Sequence, residues 1–408
     1  MEGPLDGVRV LDLSEYIAGP YCGRVMAGFG ADVIKVERPG GDPIRRWGPF
    51  AGGEPNPEAG ALHLYLNQGK RSITLDLDTE DGRSVLRELV ASADVLLESG
   101  RPGSLQQIGL GYEDAREVNP ALVYASVTPF GQTGPYSQFN AWEITFYALS
   151  GQMHITGEPD KEPLKNGGYV GQYGAGQNAY VAIMAALWER GFSDEGQHID
   201  VSMHECLTSL LEMTDMTYIY GNQIHQRTGN GARAAWGIYP CADGFVGVVS
   251  GPPRRWQNIS KLMDNPILAE ERFLRTGAQS ELRDEIDAHM LPWLITHEKE
   301  EIYQQAQALG LPFGYVSTPA DYFKNEQLQY RGFFHDVEHP VAGTMRYPSV
   351  AAHFTDGLWE SKRAPLLGEH TVEILESLGH DAQSRANLSA AGALGAHPGG
   401  GGTNGTAR

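Results

Sequence analysis

Val8-Arg9-Val10-Leu11-Asp12-Leu13, then Ala18-Gly19-Pro20, then Asp32-Val33-Ile34-Lys35-Val36-Glu37 is the stretch that decides the fold class. The outer two segments are short and rich in Val, Ile and Leu, which predicts strands. Between them the pattern predicts an amphipathic helix ending near Phe29. The unit then repeats. Residues 72–77, 94–98 and 122–127 read as further strands, and Thr79 stands where the N-cap of an intervening helix belongs. Short strands alternating with helices predict an α/β domain with a mostly parallel sheet and a ligand crevice at one strand edge.

Further along, Ala175, Ala179, Ala182, Ile183, Ala186 and Leu187 recur at helical spacing and predict a helix over residues 174–191, with Gly191 at its C-cap. The texture changes at Trp236. A hairpin is predicted over residues 236–241 and 245–250, turning at Asp243-Gly244, followed by helices near 254–263, 280–294 and 298–309. The predicted organisation is a large Rossmann-like domain over 1–225, a small α+β domain over 226–330, and a return to the large domain over 331–384. The Ala-, Gly- and Ser-rich segment 385–408 is predicted to be disordered.

A chain of 408 residues with 41% hydrophobic content can bury a large core, and two domains are the prior. Its net charge of −20 argues against nucleic acid, whose binding rests on Lys and Arg contacts to phosphate. The first residues carry no secretory signal pattern, and no apolar run reaches membrane-spanning length, so a cytoplasmic protein is expected. Three widely spaced cysteines suit reduced thiols and form no Cys-x-x-Cys pair. The histidines are scattered. His335 and His339 have helical ligand spacing, but Pro340 and the preceding Phe333-Phe334 predict strand and turn there, so no metal is expected.

Ordered blocks over about 370 residues carry a family resemblance. They include residues 5–13, 18–20 and 30–40, then Asn67-Gln68-Gly69-Lys70-Arg71-Ser72-Ile73, then Gly131-Gln132-Thr133-Gly134-Pro135. Residues 167–190, Gly196-Gln197-His198-Ile199-Asp200-Val201-Ser202-Met203 and Pro365-Leu366-Leu367-Gly368-Glu369-His370-Thr371 continue the series. In these blocks the chain resembles the class III CoA-transferases of the CaiB/BaiF type. The resemblance implies a Rossmann-like large domain, a small domain, an interlocked dimer, and coenzyme A or acyl-CoA as substrate. It also implies CoA contacts at Ile17, Ala18, Arg38, Lys70, Arg71, Ser99 and Gln107, with Arg45, Arg46 and Arg101 as lesser candidates. Guanidinium forks suit phosphate oxygens. The resemblance further aligns Gly229-Asn230-Gly231 with a mobile glycine loop, for which an interdomain hinge is an equal reading.

Two positions depart from the family pattern. Gln172 stands where the transferases carry their nucleophilic aspartate, and Gln107 stands where the family often has arginine. A carboxamide cannot attack a thioester as a carboxylate does. The racemase branch is disfavoured further, because its histidine position falls at Trp142. Three functions follow as expectations. The chain is the non-nucleophilic subunit of a heteromeric succinyl-CoA:carboxylate CoA-transferase, partnered by an aspartate-bearing homologue. Alternatively it is a self-sufficient transferase using another carboxylate, with Glu143 best placed, or a CoA-binding lyase- or hydratase-like or purely binding relative. Trp47, Phe130, Tyr147 and Trp236 are aromatic candidates for an apolar acyl pocket or for core.

Overall fold

The computed structural model describes residues 3–231, 233–251, 253–275, 277–355 and 362–395. The chain divides into two compact units. The large one takes in the described residues up to Gln152, then Asn166–Glu212, then those from Gly332 onward. The small one comprises Met153–Lys165 and Met213–Arg331.

The large unit is built on six parallel strands: β1 (Arg9–Asp12), β2 (Asp32–Glu37), β3 (Arg71–Thr74), β4 (Val95–Glu98), β5 (Val123–Thr128) and β6 (His198–Ser202). Their order in the sheet is β3-β2-β1-β4-β5-β6. Val10 pairs with Val33 on one side and with Val95 on the other, so the connection reverses direction at β1 and β4. In such an open sheet the crevice for a ligand lies beyond the carboxyl ends of the two strands where the order reverses. Every residue of β4 and β5 is buried, as expected for strands covered on both faces.

The connecting helices bury one stripe each. In Glu80–Ala91 that stripe includes Val85, Leu86, Leu89 and Val90, and the Thr79 hydroxyl accepts the Gly82 amide at 3.1 Å. The long helix Val170–Ser193 buries Ala175, Ala179, Ile183 and Ala186. Gly176 lets it approach the helix Ala18–Gly28 closely, since a Cβ there would lie 2.4 Å from the Ala18 carbonyl oxygen. This helix starts four residues before the predicted position and runs through Gly191, ending at Asp194 in the left-handed conformation.

The small unit contains the hairpin of β7 (Trp236–Cys241) and β8 (Gly244–Val249), extended by the short β9 (Gly314–Tyr315). Trp256, Phe273, Ile286 and Met290 form its core with residues of the hairpin. The Arg227 guanidinium donates to the carbonyls of His154, Glu158 and Lys161 at 3.1–3.2 Å. Those contacts bind residues 153–165 into this unit, far from the boundary expected at 225.

The chain returns to the large unit as an antiparallel hairpin, β10 (Phe334–His339) and β11 (Gly343–Pro348). His335 and His339 lie on β10, and among the described residues no cluster of three metal-ligating side chains occurs. Disorder was expected from residue 385, but Ala382–Ala390 is a helix capped by Asp381, whose carboxylate accepts the Ser384 amide at 2.8 Å. Leu388 and Leu394 pack on the large core, and the Asp76 amide donates to the Ala393 carbonyl at 2.9 Å. Residues 396–408 of that segment lie outside the described residues. No described helix is long and apolar enough to cross a membrane.

Candidate active site

A cavity of about 330 Å³ opens at the carboxyl ends of β1, β2 and β4, and its lining includes Leu13, Glu15, Arg38, Leu77, Glu98 and Gly100. Arg38 stands on the rim with its side chain 68% exposed and pairs with Glu15 at 2.9 Å. The Ser99 hydroxyl accepts the Glu15 amide at 2.8 Å, so three chain segments meet there. An exposed ion pair of this kind contributes little to stability, and its guanidinium is available to an incoming phosphate at small cost. Gln107 is exposed in the short turn Gln106–Ile108, beside Ile108 of the cavity wall.

The other candidates lie elsewhere. Lys70 is 3% exposed, and its ammonium donates to Asp12 Oδ2 (2.7 Å), the Pro20 carbonyl (2.8 Å) and Asn67 Oδ1 (2.9 Å). Burial pulls this ammonium down to about 8, with Asp12 opposing. Lys35, equally enclosed, pairs with Asp42 at 3.1 Å and bonds the Ser14 carbonyl. Asp12 in turn accepts the Ser14 amide at 3.0 Å. This buried ionic lattice pins the loop from Ser14 to Ala18, whose Ile17 and Ala18 are themselves buried. Arg71 sits at the start of β3 and forks onto Asp32, at the start of β2, at 2.8 and 2.6 Å, with Glu373 as a further partner. It is therefore at the edge of the sheet opposite the crevice. Asp12, Lys35 and Asp42 were not foreseen as positioning groups. Their signal was present as charged residues inside or beside strand-like apolar runs.

Gln172 lies in the first turn of the Val170–Ser193 helix, 4% exposed, and its carboxamide Nε2 has no hydrogen-bond partner among the described residues. Glu143, the first residue of the helix Glu143–Leu149, is also 4% exposed. Its carboxylate accepts the Gly171 amide at 2.7 Å and the Gln172 amide at 3.2 Å. The first amides of a helix lack intrahelical acceptors and carry partial positive charge, so a carboxylate there is well held. With no acidic residue of its own in that turn, the long helix takes its cap from 28 residues upstream. The structure thus brings Gln172 and Glu143 together, one an amide and the other a carboxylate already engaged through both oxygens.

Four aromatic rings cluster around Trp142, the residue before Glu143, and Tyr169, the N-cap of the Val170–Ser193 helix. Tyr16 meets Trp142 edge-on at 5.0 Å between ring centroids and Trp47 at 5.7 Å. Trp47 also meets Trp142 at 5.7 Å and Tyr169 at 6.2 Å. Of the aromatic candidates, Trp47 joins this group, Tyr147 is buried core, and Trp236 belongs to the small unit.

Comparison with known proteins gives a consistent set of matches. A family model described as CoA-transferase family III matches residues 5–371. The succinate–glutarate CoA-transferase of Agrobacterium fabrum is 35% identical, over 92% of this chain and 96% of that protein. A subunit of the succinyl-CoA:(R)-benzylsuccinate CoA-transferase of Thauera aromatica is 32% identical, over 95% of this chain and 97% of that one. A CaiB/BaiF family protein of Brucella suis, known from its crystal structure, superposes with a TM-score of 0.85 at 33% identity, covering 93% and 100% of the two chains.

Proposed function

Because this chain belongs to CoA-transferase family III, we propose that it serves as the subunit without a nucleophile in a heteromeric enzyme that moves CoA between succinyl-CoA and a carboxylic acid. The observation that carries this reading is Gln172. A transferase needs a carboxylate at the acyl carbonyl to form a mixed anhydride and release the CoA thiolate. At this position the chain offers a neutral carboxamide, whose Nε2 is a buried donor with no partner among the described residues and suits an oxygen of the acyl group. The Thauera relative, itself a subunit by name, supports the assignment.

In this reading the β1/β4 crevice takes the nucleotide end of CoA. Arg38 exchanges Glu15 for a phosphate, and Ser99 holds the rim. The Asp12–Lys70–Lys35 lattice keeps the Ser14–Ala18 loop in place, and Glu143 holds the helix start that carries Gln172. The anhydride-forming carboxylate comes from an aspartate-bearing homologue, the two chains forming the interlocked dimer of the family.

Glu143 favours a second reading, a self-sufficient enzyme, because it is a carboxylate directly beside Gln172. Its two accepted hydrogen bonds lower its nucleophilicity, which places this reading second. One experiment separates them. The purified chain is incubated with succinyl-CoA and a panel of carboxylic acids, and acyl-enzyme is trapped with hydroxylamine. No turnover and no trapped adduct are expected for the chain alone, with a gain of both in Gln172→Asp. Turnover by the unaltered chain, with hydroxylamine adduct mapping to Glu143, would overturn the subunit assignment.

A further inference from the structure

We propose that Tyr16, Trp47, Trp142 and Tyr169 form a recognition wall for an aromatic acyl group, so that the acceptor acid, the partner of the succinyl donor in the exchange, is an aryl-bearing one rather than a second short aliphatic diacid. The inference rests on the CoA-transferase reading, which places the acyl carbonyl at the start of the Val170–Ser193 helix. Trp142 immediately precedes Glu143, and Tyr169 stands three residues before Gln172, as the N-cap of that helix. An acyl chain reaching the Glu143–Gln172 pair therefore has these rings as neighbours.

The rings are held in place by the backbone. Tyr16 has φ of +65°, a left-handed conformation that non-glycine residues adopt at a cost, and such positions persist only where the surroundings enforce them. Here the enforcing group is Asp42, buried and paired with Lys35. Its Oδ1 accepts the Tyr16 amide at 3.2 Å. The same oxygen accepts the Ile44 amide at 2.9 Å and so caps the short turn Pro43–Arg46 that delivers Trp47. One buried carboxylate thus sets two rings. A second, Glu143, anchors the residue next to Trp142 and the helix whose N-cap is Tyr169.

The rings meet at centroid distances of 5.0–6.2 Å with tilted and edge-on planes. Trp142 keeps 47% of its surface exposed, so the wall has an open face. A fifth aromatic group can extend such a cluster in edge or offset geometry, whereas the second carboxylate of a diacid would lose hydration against it.

The test is equilibrium titration of the full chain with free CoA, succinyl-CoA and 3-phenylpropionyl-CoA. The aryl thioester is expected to bind about tenfold more tightly than succinyl-CoA, the scale of one or two aromatic pairs. In Trp142→Ala that advantage is expected to shrink by about threefold to tenfold, and in Trp142→Phe most of it returns. Because Trp142 is exposed, its replacement leaves the core filled. Equal or tighter binding of succinyl-CoA, or an advantage unchanged in Trp142→Ala, would overturn the inference while leaving the CoA-transferase reading intact. Failure of all three ligands to bind would remove both.

Discussion

Replacing Glu143 by Ala tests whether a carboxylate distant in sequence defines the start of the Val170–Ser193 helix. Its two oxygens accept the Gly171 and Gln172 amides at 2.7 and 3.2 Å inside a buried site. In Glu143→Ala both donors lose their acceptor. A buried donor left unpaired costs about 1–3 kcal/mol, and the longer bond is the weaker of the two, so about 2–4 kcal/mol is expected in total. Glu143→Gln keeps the shape and one acceptor oxygen but turns its amino group toward the other amide. It also forfeits the attraction between a negative charge and a helix N-terminus, so about 1–2 kcal/mol is expected. Urea unfolding followed by circular dichroism gives the stabilities. Hydrogen exchange on a peptide covering residues 167–180 reports the helix start directly. The expected order of stability is Glu, then Gln, then Ala, with exchange at residues 171 and 172 accelerating in the same order. If the Ala variant lies within about 0.5 kcal/mol of the unaltered protein, the range of ordinary surface substitutions, and exchange there is unchanged, the capping argument fails.

Lys70→Met is expected to destabilise the large unit by about 3–5 kcal/mol, because it leaves Asp12 buried with only Lys35 to balance it. A stable Lys70→Met variant with impaired CoA binding would instead restore Lys70 to the phosphate contacts. On acidification, burial pushes Glu37 upward, but the Arg45 guanidinium outweighs it and holds this carboxyl at about 2. A carboxyl lowered on folding contributes stability that is present above its ordinary value near 4.5 and lost as pH falls toward 2. The gap corresponds to about 3 kcal/mol. Unfolding free energy measured across that window should fall less steeply in Glu37→Gln, and parallel curves for the two proteins would refute the assignment.

Much of the scaffold follows from local pattern. The apolar runs of β1 and β2, the Thr79 cap and the Asp243-Gly244 turn are each decided within about ten residues, because side-chain period and turn chemistry act over that range. Lys70 and Arg71 show where this ends. Adjacent in sequence and alike in charge, they have opposite fates: one is enclosed by Asp12, Pro20 and Asn67, the other forked onto Asp32 at the far edge of the sheet. Which anion each meets depends on strand order. Composition also misled at residues 385–395, where small residues suggested disorder but Leu388 and Leu394 find the core and Ala393 accepts a hydrogen bond from Asp76.

The amide at Gln172 is legible from the chain alone, and the proposed loss of nucleophilic chemistry at that turn rests on it. Tertiary structure alone decided that Glu143 caps the same turn, and that Asp42 holds the backbone at Tyr16 and the short turn before Trp47. Buried amides and charges must find partners wherever the fold supplies them. The partners that complete this site come from segments tens of residues apart, brought together by the order of the sheet.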